Sequence, residues 1–492
     1  MDPSTSSKPV VIGSSVTGLL ISYTLSRSGI DHLLIGGGEP DDRPRLGESL
    51  NEITSSDFLC FLDSDLRKHF YQKCHISLMH GKNASMVYLS RPSREGRFRF
   101  PREMNDDTTR REGIAHTRSV LHADRLSFDR DLYHRVRANP RCEFIEDLRV
   151  QIAHDHTTDQ VTGVTLSSGE TLAPRYLFDA TGPRSLVGRA AGVGRRSLSR
   201  PQRVLWTHMR AAAQPSGLDW WQCGTNLLRL DDDSDGLRGI AWTIPIGRTL
   251  SLGLSADLDQ PGLAGLAADQ LLDRLVAAWA RRGIDLRSIY PDTAPAQELT
   301  HEYCLANRGF GANWLSAGAA YIQVWFPSSS GLNTSLVAAH LAPRLLEDPR
   351  GAGEIYEQAL QLFLPFHEHM DHMIYAPHLS RGRRPYEFWS RWLSFIPERV
   401  AGHLRLSADE IGTDRQIYRI LERLSAHFQA HPLLQLGTWG FQIVRPQQCE
   451  SLEEMASAFG GYFNYRRFRA RSYGKGMHDW LGPELSARRR RG

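Results

Sequence analysis

Cysteine is scarce and scattered. The six residues, Cys60, Cys74, Cys142, Cys223, Cys304 and Cys449, form no CxxC pair. This spacing argues against a zinc ribbon and a disulfide framework, and fits a reducing compartment. Long apolar runs are absent too: no stretch approaches the roughly 20 residues of a membrane span, and Met1–Pro9 lacks the apolar core of a secretory signal. The expectation is a cytoplasmic protein with no membrane partner. Neither sign of charge dominates, with 59 Lys and Arg against 55 Asp and Glu and a net charge of +4, so nothing calls for a polyanion such as nucleic acid. Asp231–Gly236 imitates the start of a calcium loop, but position twelve is Trp242 rather than glutamate, so a solvated hairpin turn is expected. His367, His369, Asp371 and His372 sit close in sequence. Helical spacing puts only His367 and Asp371 on one face, and no metal site is expected.

The 492 residues, 41% hydrophobic and 23% charged, suffice for two or three domains with a large core. Residues 10–49 organise the rest. Val10-Val11-Ile12 reads as a strand and runs into the loop Gly13-Ser14-Ser15-Val16-Thr17-Gly18. A helix follows with Leu19, Leu20, Tyr23 and Leu25 on one side, and Gly29 closes it. His32–Ile35 is the second strand. Strand, glycine loop, helix and strand form the context in which such a loop binds a dinucleotide. Gly13 permits the tight turn, Gly18 permits close helix packing, and the helix N-terminus offers N–H groups to a pyrophosphate. Ser15 stands where the middle glycine would be. Glu39 lies where an acidic group would accept hydrogen bonds from a ribose.

The next segments carry a resemblance. Arg43-Pro44-Arg45-Leu46-Gly47-Glu48-Ser49-Leu50 is similar to the Arg-x-Gly-Glu-Ser segment of FAD-dependent oxidoreductases of the monooxygenase and halogenase superfamily. Asp124-Arg125-Leu126-Ser127-Phe128-Asp129 resembles its helix start, and Phe178-Asp179-Ala180-Thr181-Gly182 its Asp-Ala-Thr-Gly strand end. Trp314-Leu315-Ser316-Ala317-Gly318-Ala319-Ala320, followed by Gly331-Leu332-Asn333, resembles its third motif. Ala319 replaces the usual aspartate, which removes a hydrogen bond to the ribityl chain. The resemblance implies bound FAD, with Arg45, Ser49, Arg125, Asp179, Gly182, Gly318, Ala319 and the helix start Gly331-Leu332-Asn333 as cofactor residues. Asp124 and Ser127 suit a helix cap, and Phe128 with Leu132 a core contact.

Two further segments bear on the reaction. Gly239-Ile240-Ala241-Trp242-Thr243-Ile244-Pro245 is similar to the halogenase Gly-Trp-x-Trp-x-Ile-Pro signature, with Ile240 in place of the first tryptophan. By resemblance Trp242 and Pro245 belong to the substrate side, Ser329 and Ser330 could hold a halide, and Lys73 matches the halogenase lysine. The broken tryptophan pair and Gly-Leu-Asn favour oxygenation. Lys73, Trp242 and the Phe388-Trp389 pair favour halogenation with reduced FAD, O2 and halide.

The expected architecture is α/β: an FAD-binding Rossmann domain over 8–200 containing a β-meander from Val150 to Leu172, a substrate-side β-sheet over 201–300, a return to the FAD domain over 301–345, a helical C-terminal domain over 346–485 and a basic tail. The expected function is O2-dependent monooxygenation of a small organic or carrier-tethered molecule in specialised metabolism. The resemblance leaves two electron sources open, a separate flavin reductase as in halogenases or direct NAD(P)H use as in many hydroxylases, and the basic segment Tyr465–Arg471 could dock an acidic carrier protein. A different class, a non-catalytic binding or maturation protein, is suggested by Ser15 and Ala319 together.

Overall fold

The computed structural model describes residues 8–361 except 51–61, 64, 74, 81–82, 89–119, 214–219, 231–234, 264 and 325–330. Ser329, Ser330, the His367–His372 group, Phe388-Trp389, the basic segment and tail, and nearly all of the expected C-terminal domain lie outside the described residues.

Along the chain the elements are β1 (Val10–Ile12), α1 (Val16–Arg27), β2 (His32–Gly36), β3 (Phe70–Lys73), β4 (His75–His80), β5 (Asn83–Tyr88), β6 (Val120–Ala123) and α2 (Arg125–Arg137). Then follow β7 (Cys142–Glu146), β8 (Gln151–Asp155), β9 (Gln160–Thr165), β10 (Thr171–Leu172), β11 (Leu177–Asp179), β12 (Arg195–Ser197), β13 (Gln202–Arg210) and β14 (Thr225–Leu230). The described part closes with β15 (Gly239–Ile246), β16 (Thr249–Asp257), α3 (Ala268–Ala280), β17 (Asp292–Thr293), β18 (Gln297–His301), β19 (Cys304–Ala306), β20 (Trp314–Ser316), β21 (Ile322–Gln323), α4 (Gly331–Leu345) and α5 (Pro349–Gln361).

A five-stranded sheet runs in the order β20-β11-β1-β2-β7, every pair parallel. Its inner strands β1, β2 and β11 are buried along their whole length, because helices and loops cover both faces. The β-meander forms a separate sheet, β10-β9-β8. An eight-stranded sheet, β17-β13-β16-β15-β14-β4-β5 with β18 also on β13, makes the second layer. Its 201–300 strands were expected; β4 and β5, from much earlier in the chain, extend it. β4 joins β14 in parallel, a long-range pairing that local patterning does not encode.

Three other expectations change. The helix expected to bury one side is enclosed all round: Thr17 to Ser26 are buried without exception, because α1 lies between the sheet, α2 and α4. The boundary expected at 346 falls inside the core, since Ala352, Ile355, Tyr356 and Leu360 of α5 join the cluster containing Leu336 and Leu341 of α4. Asp235, expected in a solvated turn, is buried and paired with Arg281 and Arg282. A carboxylate removed from water needs such partners.

Candidate FAD and substrate site

The N-terminus of α1 is built by close backbone approach. Gly13 has φ +106°, and a Cβ there would lie 2.5 Å from the Ala180 carbonyl oxygen. A Cβ on Gly18 would lie 1.8 Å from the Gly13 oxygen. Ser15, at the N-cap position, supplies no capping hydrogen bond; its hydroxyl donates to the Ala180 carbonyl at 3.4 Å. No acidic side chain lies in the first turn. The helix therefore presents its positive end without an internal anion. Thr17 ties three motifs together. Its hydroxyl is 2.8 Å from Ser335 of α4 and 2.9 Å from where a Gly318 Cβ would be; Gly318 has φ +56°.

Beside this loop the second strand ends at Gly36, where Ser14 fills the space a side chain would need, 2.6 Å from the Cβ position. Glu39 lies three residues further on. It is exposed and turned to α2, where it pairs with Arg130 at 3.2 Å and His134 at 3.1 Å. Arg45 pairs with Asp41 at 2.8 Å. Arg125 is engaged inside the protein: Nε and Nη2 each donate to Asp129 at 2.9 Å, and Nη1 to the Leu46 carbonyl at 2.6 Å. It thus holds the 45–49 segment in place. Asp179 is fully buried and accepts from the Thr181 and Val187 N–H groups at 3.0 and 2.8 Å and from the Thr181 hydroxyl at 2.6 Å. All of these bonds hold the loop that follows β11. Burial pushes its carboxyl upward despite these donors.

Several groups that sequence reading did not single out join the motifs. Buried His122 bonds the Pro245 carbonyl through Nδ1 at 2.7 Å and Thr225 Oγ1 through Nε2 at 2.8 Å; Thr225 in turn meets Ser49 Oγ at 2.9 Å. The carbonyl can only accept, so His122 donates to it from Nδ1. This chain ends at a carbonyl and is suited to holding β15 against the 45–49 segment, not to moving a proton. Glu48 pairs with His208 of β13 at 2.5 Å. Burial lowers the affinity of His208 for its proton, but the Glu48 charge and hydrogen bond outweigh it, and the imidazole is raised above its ordinary range. Tyr356 donates to the Ser316 carbonyl at 3.0 Å and accepts from the Gly318 N–H at 3.1 Å. Arg195 donates to the Ala319 and Ala320 carbonyls at 3.2 and 3.1 Å. Of these, only Glu48 stood inside a recognisable motif; the others are single residues whose partners lie 38 to 176 positions away.

On β15, Ile240, Trp242 and Ile244 are buried in the cluster shared with the nucleotide-binding layer. They alternate with Ala241, which packs with α3, as strand geometry requires. Ile240 and Trp242 thus share the face turned to the site. Lys73 is the last residue of β3, opposite Val120 of β6. Val16 opens α1 and Gly182 follows the Asp179 loop. Gly331, Leu332 and Asn333 open α4.

An uncapped helix start, side-chain-free approaches at Gly13 and Gly318, and a parallel sheet beneath them fit the pyrophosphate of FAD. The family model described as "FAD binding domain" matches residues 7–242. Residues 7–242 are thus an FAD-binding domain. Similar solved structures agree on the fold. They include p-nitrophenol 4-monooxygenase from Pseudomonas putida DLL-E4, at 16% identity and TM-score 0.59, covering 81% of this chain and 94% of that one. The flavin-dependent brominase Bmp2 has 17% identity and TM-score 0.53, covering 76% and 91%. A flavin-dependent halogenase from Xanthomonas campestris has 14% identity and TM-score 0.55, covering 78% and 82%. No curated protein matches the flavoprotein in sequence. Among its described residues no helix is long and apolar enough to cross a membrane.

Proposed function

We propose that this flavoprotein is an O2-dependent monooxygenase that oxidises a small organic molecule in the cytoplasm, as a step of specialised metabolism. Bound FAD supplies the redox chemistry and the reaction with O2. The Gly13–Gly18 loop, with Ser15, Val16 and Thr17, holds the pyrophosphate; Arg45 and Ser49 lie along the cofactor, and Arg125 and Asp179 position the loops that contact it. Gly318, Ala319 and the α4 start Gly331-Leu332-Asn333 frame the flavin, where a helix N-terminus stabilises negative charge. The observation that carries the reading is Ile240. It occupies the first of the two tryptophan positions of the halogenase signature, on the face turned to the site and nearly fully buried, so half of that wall is missing.

Halogenation is the second reading, favoured by Trp242 on that same face and by Lys73 at the end of β3; there Pro245 would complete the wall and Ser329 and Ser330 would hold halide. Product mass from reduced FAD, O2 and candidate substrates, with and without bromide, separates the two. Addition of one oxygen regardless of bromide, unchanged in Lys73→Ala, is the expected result. A bromine isotope pattern lost in Lys73→Ala would replace this reading with the halogenase. A separate flavin reductase as electron source is part of the proposal, and dependence of turnover on added reductase rather than NAD(P)H alone tests it. An acidic carrier protein presenting the substrate to Tyr465–Arg471 is a further element, dropped if free and carrier-bound substrate turn over equally.

A further inference from the structure

Acidic residues are missing from three long stretches of the chain that meet around the FAD site. None occurs between Asp2 and Asp31, between Asp179 and Asp219 or between Glu302 and Glu347. These stretches carry β1 with α1, β12 with β13, and β19, β20 and α4. β20, β11 and β1 are neighbours in the parallel sheet, and open sheets of this kind bind ligands outside the carboxyl ends of their strands. There the turn Gly318–Ala320 follows β20. It is tied to the end of β11 by the Ala317 N–H, which donates to the Asp179 carbonyl at 2.8 Å. Made of one glycine and two alanines, the turn has only backbone polar groups to offer a cofactor.

Arg195 of β12 brings a cation to this acid-poor region. It is half-buried. Its Nη1 donates to the Ala320 carbonyl at 3.1 Å, and its Nη2 to the Ala319 carbonyl at 3.2 Å and the Cys304 sulfur at 3.0 Å. All three acceptors are uncharged, and no carboxylate pairs with Arg195 among the described residues. Its charge acts on the buried Asp179 carboxyl, but burial pushes that group upward, towards the uncharged form, and its oxygens already accept from Thr181 and Val187. A guanidinium withdrawn from water and from carboxylates leaves its charge to be answered by a ligand. The two redox forms of a flavin differ in this respect. The oxidised ring is neutral, and with two electrons and one proton it becomes an anion, while the pyrophosphate is common to both forms.

We propose that Arg195, a positioning residue acting through the Gly318–Ala320 turn, makes the protein hold reduced FAD more tightly than oxidised FAD. This rests on the reading that the turn frames the flavin, and the test separates the two. Kd is measured on the full-length apoprotein for oxidised FAD and, without oxygen, for dithionite-reduced FAD. The ratio of the two constants cancels whatever both forms share, including the pyrophosphate contacts and the general integrity of the site. In the unmodified protein the reduced form binds tighter. Arg195→Met lowers the ratio of oxidised to reduced Kd about tenfold, the change that a unit charge makes at roughly 10 Å in an effective dielectric of about 20. That equals a fall of about 30 mV in the two-electron potential of the bound flavin. Arg195→Lys keeps the charge but loses the planar fork, so it weakens both forms while retaining most of the ratio. Tyr356→Phe loosens the turn from its other side without touching a charge, and it weakens both forms alike. Equal weakening of both forms in Arg195→Met would reduce Arg195 to a structural support and overturn the inference, as would loss of the ratio in Arg195→Lys. A preference for reduced FAD that ignores Arg195 altogether would also overturn it, leaving the turn as part of the FAD site. Failure of both forms to bind the unmodified protein would remove that reading itself.

Discussion

Helices α1 and α2 have nearly equal length, 12 and 13 residues, yet their N-termini are finished in opposite ways. Asp124 closes α2, accepting the Ser127 N–H at 3.1 Å and its hydroxyl at 2.7 Å. α1 begins at Ser15, whose side chain turns away to Ala180. The first helix end is satisfied by the protein; the second is left for something outside it. The bodies differ in the same sense. α2 buries Phe128, Leu132 and Val136 and exposes His134 and Arg137 to water, as a surface helix does, whereas α1 is enclosed. A buried helix that keeps a bare positive end is a ligand-binding device, and a capped surface helix is a structural one.

Substitutions that exchange these characters test the comparison. The largest effect is expected for Gly18→Val, since even a Cβ collides with the Gly13 carbonyl; a loss above about 4 kcal/mol in denaturant unfolding is expected, with no flavin retained on purification. Ser15→Asp would give α1 the cap that α2 has. The apoprotein should gain about 0.3–1 kcal/mol, while FAD affinity, read by fluorescence quenching, falls roughly 10- to 100-fold, because a carboxylate near a phosphate at about 4 Å costs up to about 4 kcal/mol at a protein surface. Opposite signs for stability and affinity would sharpen the contrast, and equal signs would break it. Asp124→Ala should cost about 1 kcal/mol in chemical denaturation with FAD affinity changed less than that of Ser15→Asp. The smallest effect belongs to Glu39→Gln: Glu39 and its partner His134 are exposed and Arg130 is half-buried, so stability should move by less than about 0.5 kcal/mol. A large loss of FAD affinity in this variant would restore Glu39 to the ribose.

Much of the nucleotide-binding half was legible because its signals are local. A β-branched run, two glycines five residues apart and a second apolar strand specify β1, α1 and β2 within one short segment, and Asp124 with Ser127 announces a cap. The helix face expected from Leu19, Leu20, Tyr23 and Leu25 was too narrow, since α4, which covers the other side of α1, arrives more than 300 positions later. Arg125 reads equally well as a cofactor contact or an ion pair until Asp129 and the Leu46 carbonyl are seen to take its donors. The C-terminal boundary failed for a related reason: Tyr356 looks like an ordinary aromatic of a following helix, and only packing shows its hydroxyl holding the Gly318 turn.

By itself the sequence determined the cofactor class, the parallel sheet and the places where backbone must approach closely, because each depends on residue types that permit or forbid a local conformation. Tertiary structure alone decided which polar groups meet. The Ser49–Thr225–His122–Pro245 chain and the Glu48–His208 pair are assembled from segments distant in the chain. Hydrogen bonds inside a protein depend on distances of a few ångström between such strands, and sheet register, which no single segment carries, sets those distances.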